Sequence, residues 1–124
     1  AIEVSLNFDV PAGAIVRNLR IVELDINHQF LRDLRVVLFW NGVPIETLWD
    51  REGDDNGNDG GLDDDGRFDP DFLAGKDIYF RNRDYPAFAG LDASGVLTMR
   101  VEDYRPMNIG EVADFEVMLE YLSP

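Results

Sequence analysis

Residues 33–49, DLRVVLFWNGVPIETLW, carry the clearest structural signal in the sequence. Residues 33–40 are apolar at nearly every position, which predicts a central strand covered on both faces. Asn41-Gly42 follows, a dipeptide typical of two-residue hairpins, and the chain then returns through residues 44–49 as a second strand. The stretch therefore predicts an antiparallel hairpin inside a β-sheet.

Outward from this hairpin, the sequence continues to predict strands. Apolar and polar residues alternate over residues 2–10 and again over residues 15–27, where Val22 falls out of phase and indicates a bend or bulge. Further strands are predicted after the hairpin, a short one at residues 77–80 and others at 96–102 and 111–122, with loops at 81–86 and 103–110. No segment keeps a helical period for three turns. The sequence predicts one all-β domain over residues 1–124, an antiparallel, jelly-roll-like β-sandwich of about seven to nine strands.

Residues 50–71, DREGDDNGNDGGLDDDGRFDPD, form a strongly acidic loop between predicted strands. They hold ten of the 25 acidic residues and two arginines, hence −8 of the formal charge of −14. Two carboxylates about 5 Å apart at a protein surface repel by roughly 3 kcal/mol at an effective dielectric near 20. Such a loop is either splayed in solvent or wrapped around hard divalent cations, which prefer oxygen ligands.

The spacing of the oxygen ligands favours calcium. Counted from Asp54, an EF-type loop is matched at positions 1, 3, 5 and 12 by Asp54, Asn56, Asn58 and Asp65, although position 6 is Asp59 and the turn glycines follow one residue later. A solubilising tract would contain Glu, Lys and Ser in place of these glycine-spaced aspartates. The sequence predicts a Ca²⁺ loop grafted between strands. Its predicted ligands are Asp50, Asp54, Asn56, Asn58, Asp59, Asp63, Asp65 and Asp69.

Composition excludes several classes of function. The sequence pI near 4.2 argues against nucleic acid and anionic membranes as partners, because both need a basic surface. No apolar run approaches the roughly 18 residues of a membrane span, so membrane insertion is not expected. Cysteine is absent, which excludes disulfides and thiolate metal sites. The chain begins directly with a strand pattern and not with a signal peptide, so we expect a mature or excised domain.

Three blocks of sequence resemble a known family. Ile26-Asn27-His28 followed by Arg32-Asp33-Leu34 and Leu38 resembles "I-x-H-x…G-D-L-x-x-x-L" of the P domain, the jelly-roll module that follows the catalytic domain in kexin- and furin-like proprotein convertases and in many secreted bacterial proteases. The family's "F-x-G…G-x-W-T-L-x-V-x-D" is matched at Phe88, Gly90, Gly95, Leu97, Thr98, Val101 and Asp103. Its "G-x-L-x-x-W-x-L" is matched at Gly110, Val112, Phe115 and Val117. Arg32, Val96 and Phe115 replace a glycine and two tryptophans of the family, which indicates a divergent bacterial relative.

The resemblance implies a noncatalytic accessory module that stabilises or regulates a neighbouring domain. The implied partner is a subtilisin-like catalytic domain of the same chain, or another extracellular protein or glycan. The implied location is secreted or on the cell surface of a bacterium. The residues agree with a noncatalytic role, because the one histidine, His28, and the serines Ser5, Ser94 and Ser123 show no pattern of an activated nucleophile.

Two other interpretations stay open at this stage. One is a calcium-dependent carbohydrate-binding or adhesion module, in which aromatic side chains form a stacking platform, although such side chains equally serve as core. The candidate platform residues are Trp40, Trp49, Tyr79, Tyr85 and Tyr104, with Trp49 the first to test for ligand contact. The other is a hydrolase that uses two of the many carboxylates.

Overall fold

The computed structural model describes residues 2–28, 34–51, 61–62, 68–69, 76–104 and 110–124. Within these residues the chain forms nine strands and a short 3-10 helix, Pro86–Phe88. The strands are β1 (Ile2–Asn7), β2 (Ile15–His28), β3 (Leu34–Trp40), β4 (Val43–Asp50), β5 (Gly61–Leu62), β6 (Phe68–Asp69), β7 (Lys76–Asp84), β8 (Val96–Asp103) and β9 (Gly110–Leu122).

Seven of these strands build two antiparallel sheets. The first has the order β1-β8-β3-β4 and the second the order β7-β2-β9, while β5 and β6 pair as a small separate hairpin. The chain changes sheet between β1 and β2, between β2 and β3, and again on either side of β8. This alternation is the connectivity of a jelly-roll-like sandwich, and the predicted all-β, antiparallel fold is confirmed.

Strand β3 forms the middle of the core, as its apolar sequence predicts. It lies between β8 and β4, and its side chains Leu34, Val36, Leu38 and Trp40 pack in one cluster with the inner face of β2. Val37, on the opposite face of the strand, is also buried. Burying a side chain of this kind contributes about 1.5–3 kcal/mol, so β3 is a main source of the stability of the fold.

The predicted irregularity at Val22 is a β-bulge. The register between β2 and β9 shifts between Ile21 and Glu23, so that Val22 is an extra residue on β2. Without it, Ile21 and Leu24, three positions apart, would point to opposite faces of the sheet. The bulge resets the alternation, and both side chains are fully buried.

The Asn41-Gly42 hairpin is also confirmed. Both residues have positive φ, 50° and 80°, as a type I′ turn requires. The Asn41 side-chain oxygen accepts a hydrogen bond from the Val96 amide, and the Asn41 amide donates to the Val96 carbonyl, both at 2.9 Å. The hairpin tip is therefore fixed to the start of β8.

Strand β7 runs further than the sequence predicts. Residues 81–84, expected as loop, continue the strand to Asp84 and pair with β2. Their polar composition is explained by their partners on β2, because Arg81 lies opposite Glu23 and Asp84 opposite Arg20, and opposite charges across strands are favourable. Asp84 accepts hydrogen bonds from Arg20 Nε at 2.8 Å and from Asn18 Nδ2 at 3.0 Å. The charged residues that suggested a loop thus fix the end of this strand.

Trp40 contacts residues of several segments that connect the strands at one end of the sandwich. Its ring stacks on Phe8 at a centroid distance of 6.1 Å and meets Phe88 edge-on at 6.0 Å. Its indole Nε1 donates a hydrogen bond to the Asp92 carbonyl at 3.1 Å. A Cβ atom on Gly95 would overlap the same Nε1, so only glycine fits beneath the ring.

We expect Gly95→Ala to destabilise the fold by about 2 kcal/mol or more, because overpacking forces the indole to move. Urea unfolding would measure this change. Gly42→Ala is the matched control, since its Cβ has open space and only its φ of +80° opposes it, at a cost of about 1–2 kcal/mol. In the double variant with Trp40→Phe, the cost of Gly95→Ala should shrink. Equal costs in both backgrounds would contradict this packing account.

Candidate functional site

Most of the predicted calcium ligands lie outside the described residues. These are Asp54, Asn56, Asn58, Asp59, Asp63 and Asp65. Asp69 lies in β6, where its backbone pairs opposite Gly61. Asp50 is the last residue of β4, opposite Arg35, with its Oδ1 3.7 Å from Arg35 Nε. The assignment of these ligands therefore stays a prediction.

The chain leaves the sandwich for the acidic segment at a firmly held point. The Arg51 amide donates a hydrogen bond of 2.8 Å to the Leu34 carbonyl, and its backbone takes a positive φ of 53°. Its guanidinium carbon lies 4.6 Å from the centre of the Tyr104 ring, a cation–π contact. These contacts fix where the segment begins relative to β3 and β8.

The far part of the segment is tied to the second sheet. The β5-β6 hairpin pairs Leu62 with Phe68, and β5 lies against β7. Residues 63–67 connect the two short strands, and three of these five residues are aspartates. Strand β7 then begins at Lys76, opposite His28. Hence the segment starts from one sheet and enters the other.

A second acidic group, which the sequence analysis missed, lies on the outer face of the β7-β2-β9 sheet. Ligand oxygens of Glu23, Asp114 and Glu116 lie within 4.8 Å of one another. Antiparallel pairing causes this proximity, since Glu23 lies opposite Glu116 and Asp25 opposite Asp114. We call Glu23, Asp114 and Glu116 the sheet cluster.

Repulsion and burial raise the pKa of two carboxyl groups in the sheet cluster, those of Glu116 and Asp114. The negative charge of Asp114 is the main cause of a raised pKa of Glu116, followed by burial and by Glu23. Burial and then a hydrogen bond with Glu23 raise the pKa of Asp114. The Tyr79 hydroxyl donates a hydrogen bond to Glu23 Oε1 at 3.0 Å. The three carboxylates are close enough to share a proton or to contact one cation.

The two acidic regions differ in their suitability for calcium. Ca²⁺ takes six to eight oxygen ligands in a flexible shell, whereas the sheet cluster offers three side chains on rigid strands. The segment 50–71 offers ten acids, two asparagines and many backbone carbonyls next to glycines. The segment is therefore the stronger candidate for a metal site.

Most of the residues predicted as an aromatic stacking platform are buried, so the prediction is wrong for them. Trp40, Trp49 and Tyr85 are 4%, 1% and 8% exposed and belong to the core. Trp49 in particular is not available for ligand contact. Tyr104 is 47% exposed, but its hydroxyl donates to Glu102 Oε2 at 2.8 Å and its ring contacts Arg51.

Two of the serines have local structural partners. Ser5 Oγ lies 2.9 Å from Thr98 Oγ1 across the β1-β8 pair. Ser94 donates both its hydroxyl, at 2.7 Å, and its amide, at 3.0 Å, to Asp92 Oδ1, and these bonds lower the pKa of Asp92. This arrangement shapes the turn before β8. The absence of enzymatic activity stays a prediction.

Comparison with known proteins adds no relative. No protein-family model matches the chain, and no curated protein matches it at a significant level. Within the part of the chain that the structure describes, no helix has the length and apolar character needed to cross a membrane.

Two substitutions that should change the stability in opposite directions at neutral pH test the pKa shifts of Glu116 and Asp84. Glu116→Gln should stabilise the protein at neutral pH, because a raised folded-state pKa means that the charged form opposes folding. This gain should vanish as the pH falls below the ordinary glutamate pKa, near 4.5. Asp84→Asn should destabilise at neutral pH, since Arg20 and Asn18 lower the pKa of Asp84, and its effect should vanish once the pH falls through that lowered value.

Urea unfolding measured from pH 8 to pH 3 would follow both effects. Gains or losses of the same sign for the two variants, or effects independent of pH, would contradict the assigned pKa directions.

Proposed function

We propose that this protein is a noncatalytic, calcium-binding accessory module that stabilises or regulates a neighbouring domain. The observation that supports the proposal best is the attachment of the acidic segment, which leaves β4 at Asp50 and re-enters the fold at β7. Calcium bound between these two points would link both sheets of the sandwich. The candidate ligands are the eight residues predicted from the sequence.

The energetic argument concerns the cost of the loop. Ten acids against two arginines repel one another whenever the segment is compact. A ligand at 100 times its dissociation constant adds about 2.7 kcal/mol to stability, a large share of the 5–15 kcal/mol of a typical domain. Calcium would thus convert a repelling segment into a stabilising one.

The neighbouring domain is the part of the proposal that rests on resemblance. The resemblance of three sequence blocks to the P domain supports a position beside a subtilisin-like catalytic domain of a secreted or surface bacterial protein. The β-sandwich fold agrees with such a module but is shared by many others. The calcium site is therefore the part that experiments should address first.

A carbohydrate-binding or adhesion module is the second candidate. It is favoured by a depression of about 220 Å³ on the outer face of the first sheet. Phe39, Glu3, Thr98, Arg100 and Gly42 line it, which combines one aromatic ring with polar groups. Such a combination suits a sugar ring.

A glycan array would test this second candidate. Binding to a polysaccharide that is lost in Phe39→Ala is the expected result, with Tyr121→Ala, in β9 of the other sheet, as the matched control. An array without binding, or equal loss in both variants, would leave the calcium-dependent accessory role as the only proposal.

Calorimetry tests the calcium site. Saturating Ca²⁺ should raise the melting temperature by on the order of 10 °C, Mg²⁺ should act weakly, and a chelator should reverse the effect. The triple variant Asp54→Asn, Asp63→Asn, Asp65→Asn should lose the response. Its matched control is Glu23→Gln, Asp114→Asn, Glu116→Gln in the sheet cluster, which removes the same charge and should keep the response.

The two triple variants also separate the sites. A calcium response lost only in the sheet-cluster variant would place the metal on the sheet and contradict the proposed ligands. A wild-type protein without any response to Ca²⁺ would refute the function itself.

A further inference from the structure

The outer edge of β9 is a long strand edge that no other described strand covers. The second sheet has the order β7-β2-β9, so β9 pairs with β2 on one side only. It is 13 residues long, which corresponds to roughly 40 Å of extended chain. Its unpaired backbone groups offer a template on which another strand can form hydrogen bonds.

The other three edges are protected. Strand β1 has only six residues. Strand β4 carries Pro44, and its pairing with β3 shifts register twice. Strand β7 lies against β5 and contains Asn82 with a positive φ of 50°. Short length, proline and irregularities are the common devices against edge pairing. On β9, by contrast, residues 114–122 contain no extra residue of their own, and the three register shifts of the β2-β9 pair arise from Arg17 and Val22 of β2 and from Ala113 of β9.

The face that accompanies this edge is acidic and partly apolar. Alternation places Asp114, Glu116, Met118, Glu120 and Leu122 on the outer side of the sheet. Met118 and Leu122 are 39% and 50% exposed, although apolar. Residues 110–122 contain no basic residue. The strand thus presents carboxylates and apolar side chains together beside free backbone groups.

This charge pattern decides between possible occupants. A second copy paired along β9 would bring carboxylates against carboxylates, and like charges opposite each other destabilise a sheet. Each copy also carries a formal charge of −14. A strand with basic side chains would instead be attracted, because its positive charges complement the carboxylates of β9.

We propose that the β9 edge binds an extended segment of a partner protein in which Lys or Arg alternates with apolar residues. The segment would join the second sheet as a fourth strand next to β9. Backbone hydrogen bonds would hold it, while Glu116 and Glu120 select basic side chains on the outer face and the apolar side chains of the segment lie on the inner face beside Val117, Leu119 and Tyr121. Met118 and Leu122 would contact the alkyl chains of the basic residues. This surface is on the edge opposite β7, and its binding does not require calcium.

The probe is a capped synthetic peptide of about nine alternating Lys and Val residues, the length of residues 114–122. NMR titration of the whole protein at physiological ionic strength, with and without a chelator, should show slower amide exchange at alternate residues of β9. Two further peptides carry N-methyl groups, one on all Lys amides and the other on all Val amides. Only one of them should bind, because one set of amides faces β9.

Two double variants control for general attraction to an acidic protein. Glu116→Gln with Glu120→Gln should weaken binding by roughly tenfold. Glu3→Gln with Asp9→Asn removes the same charge from β1 of the other sheet and from the residues just after it, and should leave binding within about threefold. Equal weakening by both variants, binding of both methylated peptides, or unchanged amide exchange would overturn the proposal. Dimerisation through β9 in sedimentation experiments would also overturn it, since the occupant would then be a second copy.

Discussion

The packing of Trp40 over Gly95 is the contact on which the arrangement of the two sheets depends. Trp40 ends β3 in the first sheet, and its hydrogen bond to the Asp92 carbonyl holds the chain just before β8. That chain also pairs with the start of β2, through the bonds from the Val16 amide to Leu91 and from the Ala93 amide to Ala14. One indole therefore couples β3, β8 and β2. Because interiors are close-packed, the ring tolerates no larger residue at position 95.

Much of this fold follows from local sequence, and the rest depends on pairing between distant strands. The burial of β3, the Asn41-Gly42 turn and the bulge at Val22 each follow from periodicity or turn chemistry within a few residues. The length of β7 does not, because residues 81–84 are polar and become a strand only through their pairing with β2. Nor does the role of Gly95, whose φ is ordinary and whose requirement comes from an indole 55 positions away in sequence.

Of the two acidic regions, the segment 50–71 could be predicted from the sequence and the sheet cluster could not. The first is local in sequence, whereas the second depends on strand pairing. The acidic segment 50–71 is contiguous, so its charge and ligand spacing are visible in the sequence. The sheet cluster joins Glu23 with Asp114 and Glu116, which are about 90 positions further along the chain. Acids at positions 23 and 25 and at 114 and 116 do signal one acidic face on each strand, but only the register of β2 with β9 brings them together. The aromatic side chains were ambiguous because burial of Trp49 depends on the whole sandwich.

The described part of the fold accommodates its acids by three physical devices, while the sequence of residues 50–71 supplies few donors of its own for the first two. Asp84 is paired with an arginine, Asp92 accepts hydrogen bonds from Ser94, and Asp114 and Glu116 gain a raised pKa that favours a bound proton. Within residues 50–71, two arginines face ten acids and no serine or threonine is present to donate a hydroxyl. One of the two arginines, Arg51, already makes a cation–π contact with the Tyr104 ring, so its charge is only partly available to the acids. Calcium, as proposed above, would compensate this excess of acids by a further means, and its preference for oxygen ligands matches the glycine-spaced Asp and Asn residues of the segment.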